Sequence, residues 1–130
     1  MSAAAPSSKA ILEALHGLAD AFNAHDLDRI MSYFANDAVL EMPRGAEPWG
    51  TRFVGKNAVG EGLAGRFSGM PDVHYGQATH CVAADVGISR WTVSGTTPAG
   101  QKVRANGCDF YTFRDGLVIK KDSYWKIVEA

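Results

Sequence analysis

The side chains able to do acid–base chemistry gather in the second half of the chain. Asp109 stands in CDFYTF, Lys121 in VIKKDSYW, and His74 and His80 in VHYGQATH, all in segments of strand-like composition. A carboxylate, an amine and an imidazole on one surface would suit proton transfer. His74 is expected to face a cavity and makes the second acid–base candidate. His80 lies further along the same strand, roughly 20 Å away at about 3.3 Å per residue, so the two cannot share a metal through it. No Cys/His/Asp grouping has ligand-like spacing, and no glycine loop leads into a helix to cradle phosphate. Neither a metal nor a cofactor is expected.

The partner of Asp109 depends on one turn. If Arg114-Asp115-Gly116 forms a three-residue loop, Phe113 pairs with Leu117 and Asp109 falls opposite Lys121. A two-residue Asp-Gly turn would put Asp109 opposite Asp122 instead. A slip of one residue exchanges the faces of a strand, so the turn decides what Asp109 meets.

The elements that must position these residues divide the chain in two. Over residues 8–24, Ile11, Leu12, Leu15, Leu18, Ala19 and Phe22 recur at helical spacing, with Ser7 or Ser8 as cap. Asp26 caps a short second helix burying Ile30, Met31 and Phe34, and Ala38–Met42 reads as a strand. PRGAEPWGTRFVG then reads as a loop, dense in Pro and Gly. A third helix is expected over 57–67 through Val59, Leu63 and Phe67, although Gly60, Gly62 and Gly65 each cost up to about 1 kcal/mol against Ala. Four strand-like segments follow, about 72–83, 87–97, 101–113 and 117–128, joined by short turns as an antiparallel meander. Helices first and strands afterwards is the order of an α+β domain.

The chain has 130 residues, which suits one domain, expected over 8–130 behind a loosely held tail at 1–7. Thirteen basic and 14 acidic side chains are mixed along it, and no basic block points to nucleic acid. No run is long enough to span a bilayer, and Lys9 and Glu13 interrupt the apolar stretch a signal peptide would need. A cytoplasmic protein with Cys81 and Cys108 as buried, inert thiols is the expectation.

NAHDLDRIMSYFANDAVLEMPRGAEPWG and CDFYTFRDGLVIKKDSYWK together resemble the nuclear transport factor 2-like superfamily. Within it the chain is most similar to the SnoaL-like polyketide cyclases and the ketosteroid isomerases, over about residues 8–128. The resemblance implies a cone-shaped, cystatin-like fold: three N-terminal helices on a curved antiparallel sheet, enclosing an apolar pocket and often paired as a homodimer. It also implies a test of the isomerase chemistry. The carboxylate base of the isomerases falls on Met42 and their oxyanion tyrosine on Leu18, neither of which can do that work. Their third acid corresponds to Asp109, the position behind the general example of a carboxylic acid kept neutral to donate a hydrogen bond. Steroid isomerisation by that mechanism is not expected.

The resemblance favours the longer hairpin loop, and with it a charged Asp109–Lys121 pair beside the pocket. One face then carries Gly107, Asp109, Tyr111 and Phe113 with Ile119, Lys121, Ser123 and Trp125. By analogy with the isomerase cavity Trp91 and Val93 join it, and Phe22, Met42 and Trp49 close the helix and loop side. The opposite face, with Arg104, Asn106, Thr112, Lys120, Asp122 and Tyr124, suits solvent or a homodimer contact. The functional expectation is a cofactor-free isomerase, cyclase or hydratase acting on a small hydrophobic carbonyl compound, with Asp109, Lys121 and His74 moving or stabilising charge. The alternative is a non-catalytic binding or dimerisation module.

Overall fold

The computed structural model describes residues 7–129, so most of the expected tail and Ala130 lie outside the described residues. Ser7 is described, and its hydroxyl accepts the Ala10 N–H at 3.1 Å to cap α1 (Ser8–Asn23). Asp26 caps α2 (Leu27–Met31) in the same way through the Arg29 N–H. One stripe of α1 carries Ile11, Leu15, Leu18 and Phe22, all buried, each worth roughly 1.5–3 kcal/mol in burial alone. The third helix, α3 (Lys56–Gly69), forms despite its glycines. Gly62 has a packing reason, because a Cβ there would come within 2.9 Å of the Phe53 ring and 3.0 Å of Leu40.

Six strands follow or interleave: β1 (Phe34–Glu47), β2 (Gly50–Val54), β3 (His74–Ala83), β4 (Val86–Thr96), β5 (Lys102–Arg114) and β6 (Leu117–Trp125). They make one open sheet in the order β2-β1-β6-β5-β4-β3. α1 packs on β3 and β4 while α3 packs on β1 and β2, so the helices cover one face of the sheet. The α+β architecture matches the expectation.

Three details depart from it. The segment read as a loop is a hairpin: β1 runs on through Pro43 to Glu47, turns at Pro48-Trp49, and returns as β2. The sheet is mixed, because β1 pairs β6 in parallel, Leu40 opposite Lys121. The last turn is the two-residue Asp115-Gly116, with φ of 53° and 81°, so Arg114 pairs with Leu117. That register alone would set Asp109 against Asp122. A bulge between Thr112 and Phe113 leaves Ile119 as the extra residue and shifts the ladder by one, placing Asp109 opposite Ser123 and Tyr111 opposite Lys121. Val118, not Ile119, therefore enters the core.

Candidate functional site

Asp109 lies in the middle of β5 on the face covered by α1 and is 4% exposed. Its Oδ1 accepts from Lys121 Nζ at 2.9 Å, and its Oδ2 accepts from the Trp91 indole N–H at 2.9 Å. A carboxylate offers about four lone-pair sites, so two remain for other donors. Lys121 is buried as well, with Nζ 5.5 Å from the Phe22 ring centre and 5.7 Å from that of Tyr111. Aromatic faces partly replace the water this ammonium has lost.

A cavity adjoins the pair. Leu15, Leu18, Ala19 and Phe22 of α1 form its roof; Tyr75, Ala78, His80, Ser89, Trp91, Tyr111, Asp109 and Lys121 form its floor and walls. Its volume is about 20 Å³, room for a single water-sized molecule. Aromatic rings occupy much of the space beside it: Tyr75 meets Trp91 edge-on at 4.9 Å and Phe22 at 5.8 Å. Trp91 lies over Gly107, where a Cβ would sit 2.6 Å from the indole, so the glycine is what lets the ring lie flat on the sheet.

Burial and the charge of Asp109 raise the phenol of Tyr111, and burial does the same to Tyr75 against the opposing pull of Arg66. Both hydroxyls stay protonated at any working pH and can donate to an oxygen that gains negative charge.

The candidates read from the sequence separate into groups. Asp109, Lys121, Phe22, Trp91 and Tyr111 meet around the cavity. Ser123 is buried opposite Asp109 on β6. Met42 and Trp125 line a second, open cleft of about 540 Å³ with Phe53, Arg66 and Met70, and Trp125 touches Trp91 edge-on at 6.0 Å. Val93 belongs to a separate core cluster with Met70, Val73, Trp91 and Ala105. Trp49 is at the surface turn of the β1–β2 hairpin, 41% exposed, under Arg52. His74 is exposed and faces away from the cavity.

His80 takes the place expected of His74, and the cause is a bulge. Gly76 pairs with Thr92 but Thr79 pairs with Arg90, so Gln77 and Ala78 together oppose Trp91. Gln77 takes a φ of 54°. Before the bulge the odd residue Tyr75 faces inward; after it the even residues Ala78 and His80 do. Tyr75, Ala78, His80 and Ser89 are cavity residues that sequence reasoning did not place there. An isolated Gly76 inside a strand pattern was the available signal for the bulge.

Neither of the thiols expected to be buried is so: Cys81 is exposed and Cys108 only partly covered. Burial and the neighbouring Asp109 raise the Cys108 thiol, which keeps it a poor nucleophile. Among the described residues no group of three or more His, Cys, Asp or Glu is placed to hold a metal ion. Nor is any helix among them long and apolar enough to cross a membrane.

Residues 15–120 match the family model of the SnoaL-like domain. The chain belongs to the SnoaL-like family. Solved structures agree on the fold. A Xanthomonas campestris protein provisionally named a polyketide cyclase superposes with a TM-score of 0.81 at 18% identity, over 92% of each chain. TerC, crystallised with polyporic acid, gives 0.77 at 18% identity, over 90% of this chain and 92% of its own. A Bacillus subtilis protein provisionally named an isomerase gives 0.77 at 20% identity, over 91% and 87%. At such identities the likeness speaks for fold alone. No curated protein sequence matches this SnoaL-like chain.

Proposed function

We propose that this SnoaL-like protein is a cofactor-independent acid–base enzyme for a small hydrophobic carbonyl compound, of isomerase, cyclase or hydratase type. The observation that carries the reading is a carboxylate buried in an apolar chamber with two lone-pair sites still open, beside a buried ammonium and two protonated phenols. Asp109 takes a proton from the carbon next to the carbonyl. Lys121, with Tyr111 or Tyr75, holds the oxygen on which the charge develops.

Such a compound needs more than 20 Å³. Trp91 is the ring whose displacement gives room, since it stands between Asp109 and Trp125, and Trp125 opens on the larger cleft. A substrate hydroxyl can replace the indole N–H on Asp109 Oδ2. The same reading places the protein in the cytoplasm as a homodimer, joined through the outer sheet face where Phe110, Leu117 and Tyr124 stand exposed.

A second reading is a non-catalytic binding or dimerisation module, and the near-filling of the chamber by the protein's own aromatic rings favours its dimerisation form. β-Tetralone, a small aromatic ketone with acidic α-hydrogens, separates the two. The enzyme reading predicts that the protein speeds replacement of those hydrogens in deuterium oxide, followed by NMR. A rise in melting temperature with the ketone recovered unexchanged supports the module instead.

A further inference from the structure

His80 and Ser89 are built into this cavity and have no part in the chemistry above. His80 Nδ1 and Ser89 Oγ are 2.8 Å apart. Ser89 is 6% exposed, whereas His80 is only partly buried and meets the His16 ring edge-on at 4.6 Å. The sheet register sets His80 opposite Ser89, and Ser89 opposite Asp109. Three neighbouring strands thus carry an imidazole, a hydroxyl and a carboxyl in one row, running from the partly exposed edge strand to the buried pair. Directly opposed side chains have Cβ atoms roughly 4.5–5.5 Å apart. All three residues line the same 20 Å³ space, which has room for one water.

We infer that Ser89 and His80 form a proton relay joining Asp109 to solvent. The inference rests on the reading of Asp109 as the group that takes the substrate proton. The buried Asp109 carboxylic acid gives its proton to Ser89 Oγ, directly or through one water. The hydroxyl's own proton moves to His80 Nδ1, and His80 releases its Nε2 proton to bulk water. The reverse steps return a solvent proton to the carboxylate, so charge and atoms balance with no other reactant. A buried base without such a path hands the same proton back to its substrate; one with it exchanges.

The bulge at Gln77 acquires a purpose in this light. It costs a left-handed residue in an edge strand and turns His80 inward, where regular alternation would have left it outside. The groups facing His80 are His16 and Asp20 from α1 and Ser89 from β4, with Asp109 and Lys121 deeper in the cavity. Burial and the neighbouring His16 hold the imidazole below its ordinary value, against the pull of Asp20. A neutral ring is the form that accepts a proton, and His80 keeps that form at neutral pH.

The test is deuterium uptake into β-tetralone by wild type, His80→Gln, Ser89→Ala and Ser89→Thr. The glutamine amide of H80Q can still bond Ser89 but cannot carry a proton, so a merely structural His80 would tolerate it. The relay predicts that H80Q and S89A slow uptake at least about tenfold and that S89T restores it. It also predicts that the wild-type rate rises with pH through a midpoint below 6.5, a rise that H80Q loses. Should S89A fail to fold, H80Q at its partly exposed site still decides. Uptake in H80Q equal to wild type, where Asp109→Asn has none, overturns the relay alone. No uptake by wild type overturns both the relay and the role given to Asp109.

Discussion

Asp109 and Lys121 are joined diagonally across the final hairpin: Asp109 stands opposite Ser123, Lys121 opposite Tyr111, and the 2.9 Å bond spans the step between them. Both side chains are on the covered face and nearly solvent-free, at 6% and 7% exposure. The bulge at Ile119 makes this possible. A regular ladder from the Asp115-Gly116 turn would have set Asp109 against Asp122, leaving two carboxylates in contact and Lys121 on the wrong face.

Removing one member of a buried pair strands the other. Lys121→Met leaves the Asp109 carboxylate with only the Trp91 N–H, and we expect a loss of about 3–5 kcal/mol in urea unfolding. Asp109→Leu combined with Lys121→Met should recover most of that loss, because no charge is then left buried. A single variant as stable as wild type would show that the pair is open to water.

The strained residue of β3 offers a separate measurement. Gln77 holds a φ of 54°, a conformation costing a residue with a side chain about 1–2 kcal/mol. Gln77→Gly should leave stability unchanged or raise its melting temperature. Gln77→Val, β-branched, should lower it and weaken the His80–Ser89 contact by pulling the bulge straight. Equal melting temperatures for Gly and Val at this position would argue against the bulge.

Acid should unfold the protein partly through Glu41. Burial alone would raise this carboxyl, but Arg52 at 2.7 Å and Lys120 at 3.2 Å outweigh it and hold the group below its ordinary 4.5. A carboxyl depressed in the folded state contributes stability that is present above its unfolded value and lost as pH falls through the folded one. Stability should therefore decline as pH drops below about 4.5, and Glu41→Gln should reduce both the neutral-pH stability and the steepness of that decline. An acid profile identical to wild type would assign the effect elsewhere, for example to the exposed Asp37–Arg114 pair.

Much of this is legible in the sequence. The Ile11-Leu15-Leu18-Phe22 stripe, the Ser7 and Asp26 caps and the segregation of helices from strands are local signals, and each led to the observed element. What could not be read were two extra residues. Ile119 and Gln77 each shift a strand's parity; Gly76 hinted at the bulge in β3, but nothing in the side-chain pattern announces the one at Ile119. The expected Asp109–Lys121 contact forms in spite of a wrong turn, since the three-residue loop and the two-residue turn with a bulge both bring Lys121 to the same face. His80 in place of His74 has no such rescue, because regular alternation along β3 points to the opposite parity. The β1–β2 hairpin was hidden by Pro43, Pro48 and their neighbouring glycines, which read as loop although Pro43 and Gly45 sit within β1 and Pro48 in the turn.

Function turns on whether the Asp109 carboxylate moves a proton in its apolar chamber. Asp109→Asn keeps the size of the side chain and one acceptor oxygen for the two donors Trp91 and Lys121, while removing the base. With the melting temperature as a check on folding, deuterium uptake by β-tetralone should fall at least about 100-fold in D109N relative to wild type. A folded D109N protein that exchanges the ketone as fast as wild type would contradict the account.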